Sequence, residues 1–296
     1  MSETVAVVRS ARPNFLVLAP LCVGLGVAIA WQQGEPPAIV DTLLVFVGAL
    51  LAQAAVNLLN EYEDFVSGLD LITRRTPFSG GSGSLPEVPS AAKDVLRAGI
   101  GTLALVVAIG CYFLWLRGLP MLVLGGAGVV LIVTYTRWIT RSPLLCLLAP
   151  GMGFGPIMVL GTLIALGARL DATAIAASVV SLLLVSELLL INQIPDADAD
   201  RKIGRKHLVI TQGQQAAARL VALMLAGSYL TIGVSIATHW LPLWTALALI
   251  TAPAAAWVSL QLPAAIREPE RLNPVLGINV ATLLATLSLL IVGLSL

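Results

Sequence analysis

Asn57-Leu-Leu-Asn60-Glu61-Tyr-Glu-Asp64-Phe-Val-Ser-Gly68-Leu-Asp70 closes an apolar run that starts near residue 39. About 20 apolar residues cross a bilayer as a helix, so the run before these acids is long enough to span one. Asn57, Asn60 or Glu61, and Asp64 stand at i, i+3 or i+4, and i+7, which puts them on one helix face. A second cluster echoes the first: Asn192-Gln-Ile-Pro-Asp196-Ala-Asp198-Ala-Asp200-Arg201-Lys202-Ile-Gly204-Arg205-Lys206. Asn192, Asp196 and Asp200 are spaced i, i+4, i+8, although Pro195 predicts a bend or break between them.

The rest of the chain has the composition of a membrane protein. It is 58% hydrophobic and 11% charged, with a mean hydropathy of +0.94. Soluble domains carry about 25% charged residues. The net charge of +1 gives no sign of a nucleic-acid partner. Cys22, Cys111 and Cys146 lie in or beside apolar runs, far from any CxxC spacing, and read as packing residues. No small-residue cleavage site follows the first apolar run, so no cleavable signal is expected.

Nine apolar runs are legible, at about 15–31, 39–61, 95–116, 119–136, 143–166, 174–194, 215–236, 241–260 and 274–294. In lipid a segment satisfies its own backbone only as a helix or a closed barrel, and Leu/Ala/Val-rich runs of this length are helices. The expected fold is therefore an all-α integral membrane protein. Nine transmembrane helices would surround a central cavity in a single polytopic domain, 1–296, with cytoplasmic cap loops at about 62–94 and 195–214. Gly125, Gly126 and Gly128, and Gly151, Gly153 and Gly155, are expected to let helices approach closely. Pro20, Pro150 and Pro156 are expected to kink their helices.

Nine spans sort the charges. All of the 17 Lys and Arg residues except Arg117 and Arg169 then fall on one side, together with the N-terminus and both acidic clusters. The positive-inside rule makes that side cytoplasmic.

Carboxylates gathered at a membrane boundary repel one another and lose hydration, and a divalent cation removes both costs. Mg²⁺ takes hard oxygen ligands, typically a few carboxylates with phosphate oxygens and water. Two facing Asp clusters thus point to Mg²⁺ bridging the protein to a diphosphate. Arg74, Arg75, Arg201, Lys202, Arg205 and Lys206 stand where they would neutralise it. The loop Arg74–Pro86 is Gly-rich but lacks the Gly-Lys-Ser/Thr of a nucleotide-binding loop. It reads either as a flexible linker or as a mobile cap offering backbone N–H groups to an anion. Glu187, inside the sixth run, would contact an acceptor hydroxyl or pair with a polar neighbour. Tyr135 closes the fourth run, and its ring face would stabilise a cation in the cavity. His207 and His239 have no metal-ligand spacing around them.

These motifs resemble those of the UbiA superfamily of intramembrane prenyltransferases along nearly the whole chain. The resemblance rests on Arg12-Pro13, Asn57-x-x-Asn60-Glu61-x-x-Asp64, Tyr135, and Asp196-x-x-x-Asp200-x-x-x-Gly204-Arg205-Lys206. It implies Mg²⁺-dependent transfer of an isoprenyl chain from a prenyl diphosphate to a small acceptor, commonly aromatic, with the lipid bilayer as surroundings. Asn57, Asn60, Asp64, Asp196 and Asp200 then become metal and diphosphate residues, with Glu61 and Asp70 as further metal candidates. Asn192, Arg74, Lys202, Arg205 and Lys206 become diphosphate contacts. Glu61 stands where the family usually has Asp, and Asp70 lies six residues after Asp64 where many members have their acid four on. Gly68-Leu69-Asp70 and Asn57-x-x-Asn60 look most like the branch that prenylates 1,4-dihydroxy-2-naphthoate for quinones. Two other enzyme outcomes use the same ionisation, namely cyclisation of the prenyl chain and transfer to a non-aromatic acceptor. A cation-coupled secondary transporter is the reading from another class. It would place its acids at the bilayer midplane, whereas here only Glu187 lies deep.

Overall fold

The apolar runs form helices, and the acids extend the second of them. The structure is a computed structural model and describes residues 1–34 and 37–296. Its principal helices are α1 (Glu3–Ser10), α2 (Leu18–Gln32), α3 (Ile39–Val66), α4 (Ala92–Arg117) and α5 (Leu119–Thr134). They continue as α6 (Pro143–Leu166), α7 (Ala172–Asn192), α8 (Gln214–Ala237), α9 (Leu243–Ala265) and α10 (Pro269–Ser295). No strand occurs among the described residues. Among the described residues seven helices are long and apolar enough to cross a membrane, from α3 through α10 with α5 excepted. The segment Glu3–Phe15 joins Leu18–Gln32 at a 48° bend and makes an eighth span if the two are counted together. Helix α5, 16 residues long, is apolar but shorter.

Burial separates a central helix from lipid-facing ones. In its apolar window α7 is 67% buried, against 11% for α3. A hydrophobic helix buried all round belongs inside a bundle. The main core accordingly joins α7 to α2, α8, α9 and α10 through residues such as Leu25, Leu184, Leu225, Leu262 and Leu287.

Helix α6 shows why the glycines and prolines are where they are. It widens into a π-helical stretch at Gly153–Leu160 that contains Pro156. Proline removes one backbone donor and crowds the carbonyl four residues back, and an i→i+5 turn relieves that crowding. Gly151 and Gly155 meet the backbone of α7. A Cβ on Gly151 would overlap Leu182 O and Ser186 Oγ, and one on Gly155 would overlap Ser178 O and lie 2.8 Å from Leu182 N. Gly153 instead faces Leu131 of α5, and Gly128 of α5 faces Ile157. The expectation of close helix contact fails for two glycines. Gly126 has nothing within 4 Å of a built Cβ, and Gly125 meets only Met121 of its own helix. Both line the cavity, so there small residues keep space open rather than close it. Pro20 lies in the first turn of α2, where a missing N–H costs nothing.

The cavity, about 730 Å³, lies between α2, α3, α4, α5, α6 and α7. Of the last three helices only α10 reaches it, through Val280, Leu283 and Leu284. Away from the acidic clusters, the Arg117 guanidinium lies 3.5 Å from Asp41 and donates to Ala165 O at 2.8 Å, while Tyr112 donates to Asp41 at 2.8 Å. These contacts tie the start of α3 to the ends of α4 and α6.

Because a Cβ at position 155 meets backbone rather than a movable side chain, Gly155→Ala should destabilise the protein by about 1–3 kcal/mol. Gly126→Ala should be neutral or slightly stabilising, since alanine is the better helix former. Thermal unfolding in detergent distinguishes them, and equal melting temperatures for both variants would contradict the packing described.

Candidate active site

The first acidic cluster is built on α3, which runs two turns beyond its apolar part. Asn57, Asn60 and Asp64 share the face that lines the cavity. Asn57 Nδ2 donates to Ala11 O at 3.0 Å. Asn60 Nδ2 donates to Asp64 Oδ2 at 3.1 Å and to Thr136 Oγ1 at 3.2 Å, which links α3 to the segment after α5. Gly68 then takes φ +80°, the left-handed conformation that ends helices. The chain turns into a short helix, Leu69–Ile72, that holds Asp70 over the cavity, 5% exposed.

The second cluster does not continue α7. The helix stops at Asn192, the chain breaks through Pro195, and a short helix forms at Ala197–Lys202. Asn192, Asp196 and Asp200 still all line the cavity. Gly204, at φ +84°, turns the chain back. Arg205 N then donates to Asp200 O at 3.1 Å, and Lys206 N donates to Thr140 O at 3.0 Å. This return points the Arg205 side chain inward and leaves Lys206 exposed.

Arg205 joins the two clusters. One Nη donates to Asp200 Oδ1 at 2.9 Å and the other to Asp64 Oδ1. Burial works against its charge, but Asp64 and Asp200 more than offset that and hold its pKa above the ordinary value. The second oxygen of Asp200 contacts His207 Nε2 at 2.9 Å, and His207 is buried. Sequence reasoning set His207 aside for want of ligand spacing; its contact arises from the Gly204 turn, which no periodicity reveals.

The cap is docked rather than loose. Gly80 N donates to Asp196 Oδ2 at 3.2 Å, and Ser82 N and Oγ donate to Glu61 at 2.7 Å each. Its backbone N–H groups at 80 and 82 thus serve protein carboxylates. A Cβ on Gly81 would lie 2.9 Å from Asp70 Oδ1, so only glycine lets the cap approach so closely.

The predicted site residues part company here. Asn57, Asn60, Asp64, Asp70, Tyr135, Asn192, Asp196, Asp200 and Arg205 meet at one end of the cavity. Arg74, Lys202 and Lys206 are exposed and do not line it. Glu61 is fully buried and faces away from it, toward Arg12 and the cap. Arg12 does line it, although in the sequence it was visible only as part of Arg12-Pro13. Glu187 lies elsewhere, with Asn279 Nδ2 donating to both of its oxygens at 3.1 Å; of its two expected roles, pairing with a polar neighbour is the one found.

The oxygens left over have a common character. Asp70 Oδ2, Asp196 Oδ1 and Asn192 Oδ1 are buried without a hydrogen-bond partner among the described residues. Burial, then the charges of Glu61 and Asp64, push the Asp70 carboxyl up to about 7. Burial and Asp200 push Asp196 up to about 6. Hard oxygens without donors, on acids that resist ionising alone, fit a divalent cation. Among the described residues no group of three or more His, Cys, Asp or Glu side chains forms a metal site by itself. A cation here would therefore share its coordination with ligand oxygens, as Mg²⁺ does with phosphates.

Comparison with known proteins gives the family and the fold. The model of the UbiA prenyltransferase family matches residues 17–273. The chain is 30% identical over 267 residues to a 1,4-dihydroxy-2-naphthoate octaprenyltransferase of Escherichia coli (strain K12), covering 86% of this chain and 83% of the relative. Among solved structures, the apo form of a UbiA homolog from Aeropyrum pernix K1 superposes with a TM-score of 0.70 at 17% identity, over 94% of this chain and 98% of that one. A UbiA homolog from Archaeoglobus fulgidus bound to DMAPP and Mg²⁺ superposes with a TM-score of 0.61 at 16% identity, over 96% and 98%. The chain therefore belongs to the UbiA prenyltransferase family, and it is a prenyltransferase.

Proposed function

We propose that this protein transfers an isoprenyl chain from a Mg²⁺-bound prenyl diphosphate to an aromatic quinone precursor, 1,4-dihydroxy-2-naphthoate, at the cytoplasmic face of a membrane. The observation that carries this reading is the junction of the two clusters: buried, unpartnered oxygens of Asp70, Asn192 and Asp196 stand at one end of a large apolar cavity. The octaprenyltransferase relative supports the acceptor, and the neighbour bound to DMAPP and Mg²⁺ supports donor and metal.

Asn57, Asn60, Asp64, Asn192, Asp196 and Asp200, with Asp70, would hold Mg²⁺ against the diphosphate. When bound, the metal supplies positive charge that stabilises the departing diphosphate. Arg205 and Arg12 face the same space and add their own charge to that anion. The exposed Arg74, Lys202 and Lys206 would act further out, as a basic rim that draws the donor in. The C1–O bond of the donor breaks, its electron pair leaving with the diphosphate. The Tyr135 ring, on the cavity wall, offers its face to the positive charge that develops at C1. The cap over Asp70 and Asp196 excludes water from that carbon. A ring carbon of the acceptor bonds to C1, and the ring regains aromaticity when that carbon loses its proton to water or its carboxylate as CO₂. The isoprenoid tail lies in the apolar part of the cavity, where Gly161 of α6 is buried yet has nothing within 4 Å of a built Cβ.

The topology belongs to the same reading. Helices α2 to α10 are nine spans in a single domain, with α5 crossing despite its length and the N-terminus and caps cytoplasmic. Charge segregation supports it. The pairing of Glu187 with Asn279 favours a structural role for the one deep acid over ion coupling.

In membranes supplied with a prenyl diphosphate, Mg²⁺ and 1,4-dihydroxy-2-naphthoate, the wild type should form prenylated product. Asp64→Ala and Asp196→Ala should lower turnover by about 10²-fold or more, the scale of losing transition-state charge stabilisation. A wild type inert with every donor length and acceptor tried would sink the proposal. Filling the tail space with Gly161→Leu should shift preference toward shorter donors while leaving the shortest donor's turnover intact; unchanged length preference would place the tail elsewhere. For topology, an impermeant thiol reagent should label Arg169→Cys from outside intact cells, in a background lacking the native cysteines. It should label Lys202→Cys only after permeabilisation, and the reverse pattern would invert the orientation.

A further inference from the structure

Glu61 sits between Asn60 and Asp64 in sequence, within the first acidic cluster, yet its carboxylate is surrounded by donors. Oε1 accepts from Arg12 Nε at 2.8 Å, Arg12 Nη2 at 2.6 Å and Ser82 N at 2.7 Å, and Oε2 accepts from Ser82 Oγ at 2.7 Å. The side chain is completely buried and does not line the cavity. Asp70 Oδ2, by contrast, has no partner and belongs to the cavity wall. A carboxylate that already accepts these charge-assisted and backbone bonds has little left to offer a cation.

What the bonds join is informative. Arg12 lies in the short link between α1 and α2, Glu61 on α3, and Ser82 in the cap. Arg12 has φ +53° and ψ +63°, a left-handed backbone that non-glycine residues rarely adopt. Such a conformation persists where surrounding contacts over-determine it, and the Glu61 fork is the contact at hand. Both bonds of Arg12 use Nε and Nη2; among the described residues Nη1 has no hydrogen-bond partner, and the residue lines the cavity. The cap is held at the same carboxylate and again by Arg9, whose Nη2 donates to Ser82 O at 3.3 Å.

We infer that Glu61 is a positioning residue rather than a metal ligand: it locks the cap through Ser82 and aims Arg12 at the bound anion. Arg12 is thereby assigned as a second guanidinium contact to the diphosphate. The role of Arg12 rests on the prenyl-diphosphate reading above, whereas the cap lock does not.

Purified protein in detergent tests both parts. Trypsin reaches the exposed Arg74 and Arg75 of the cap, and Glu61→Gln should accelerate cleavage there roughly tenfold by releasing the lock. The same variant should raise the donor KM about tenfold with kcat within about threefold, the signature of lost binding rather than lost chemistry. Mn²⁺ affinity of the donor-free protein, read by electron paramagnetic resonance, should be unchanged in Glu61→Gln and weakened in Asp64→Ala. Unchanged cap cleavage would overturn the inference, and so would a loss of Mn²⁺ affinity matching that of Asp64→Ala. If Glu61→Gln fails to fold, Ser82→Ala removes one bond of the lock and should accelerate cleavage to a smaller degree; no acceleration there overturns it equally. A wild type that turns over no donor would remove the role of Arg12 but leave the trypsin comparison to decide the lock.

Discussion

Asp64 and Asp200 are far apart in the chain and carry like charge, and the fold brings them to one guanidinium. Everything around the site answers to that constraint. In a poorly hydrated pocket two carboxylates repel strongly, and Arg205 makes their meeting tolerable by donating to both. It does so only because Gly204 turns the chain back and Thr140 O anchors Lys206 N. His207 takes the remaining Asp200 oxygen. The arginine therefore holds the α3 half of the site against the half that follows α7, where a smaller, doubly charged ion would also be at home.

The scaffold supplies the stiffness this needs. Helix α7, which carries Asn192, is the most buried of the long helices, and α6 is pressed onto it at Gly151 and Gly155 with backbone against backbone. Close contact of this kind drives helix association in lipid, where the hydrophobic effect between helices is absent. The same small residue has the opposite use across the cavity, where Gly126 and Gly161 face open space. Small residues therefore either join helices or keep a wall thin, according to what stands in front of them.

That distinction marks how far the sequence could be read. Helix positions follow from hydropathy, since a run of apolar residues in lipid has one backbone solution, and the helices match the runs to within a few residues, apart from the ends that polar residues extend. The convergence of Asn57, Asn60 and Asp64 follows from helical spacing alone. The second cluster reached the cavity by another route: its spacing suggested one face, but Pro195 broke the helix and a short new one restored the placement. The contacts of Arg12, visible in the sequence only as part of Arg12-Pro13, and of His207 depend on backbone reversals, a left-handed residue and a glycine turn, that leave no period in the sequence. Arg74, Lys202 and Lys206 looked equivalent to Arg205, because adjacency in sequence cannot say which of several cations a turn will point inward.

The acids themselves make the sharper point. Glu61, Asp64, Asp70 and Asp196 look alike as letters, and what separates them is which partners they have and whether they face the cavity. Glu61 receives Arg12 and Ser82, Asp64 receives Arg205 and Asn60, Asp196 receives Gly80 N, and among the described residues Asp70 Oδ2 receives nothing. Glu61, whose oxygens are taken up by Arg12 and Ser82 away from the cavity, serves as architecture. Burial, ahead of any other cause, pushes Asp70 and Asp196 up, and a buried acid gains when a cation arrives. Architecture and reactivity are thus written in the same residue type: Glu61 is turned away from the cavity to hold the cap, while Asp64, also supplied with donors, faces the cavity.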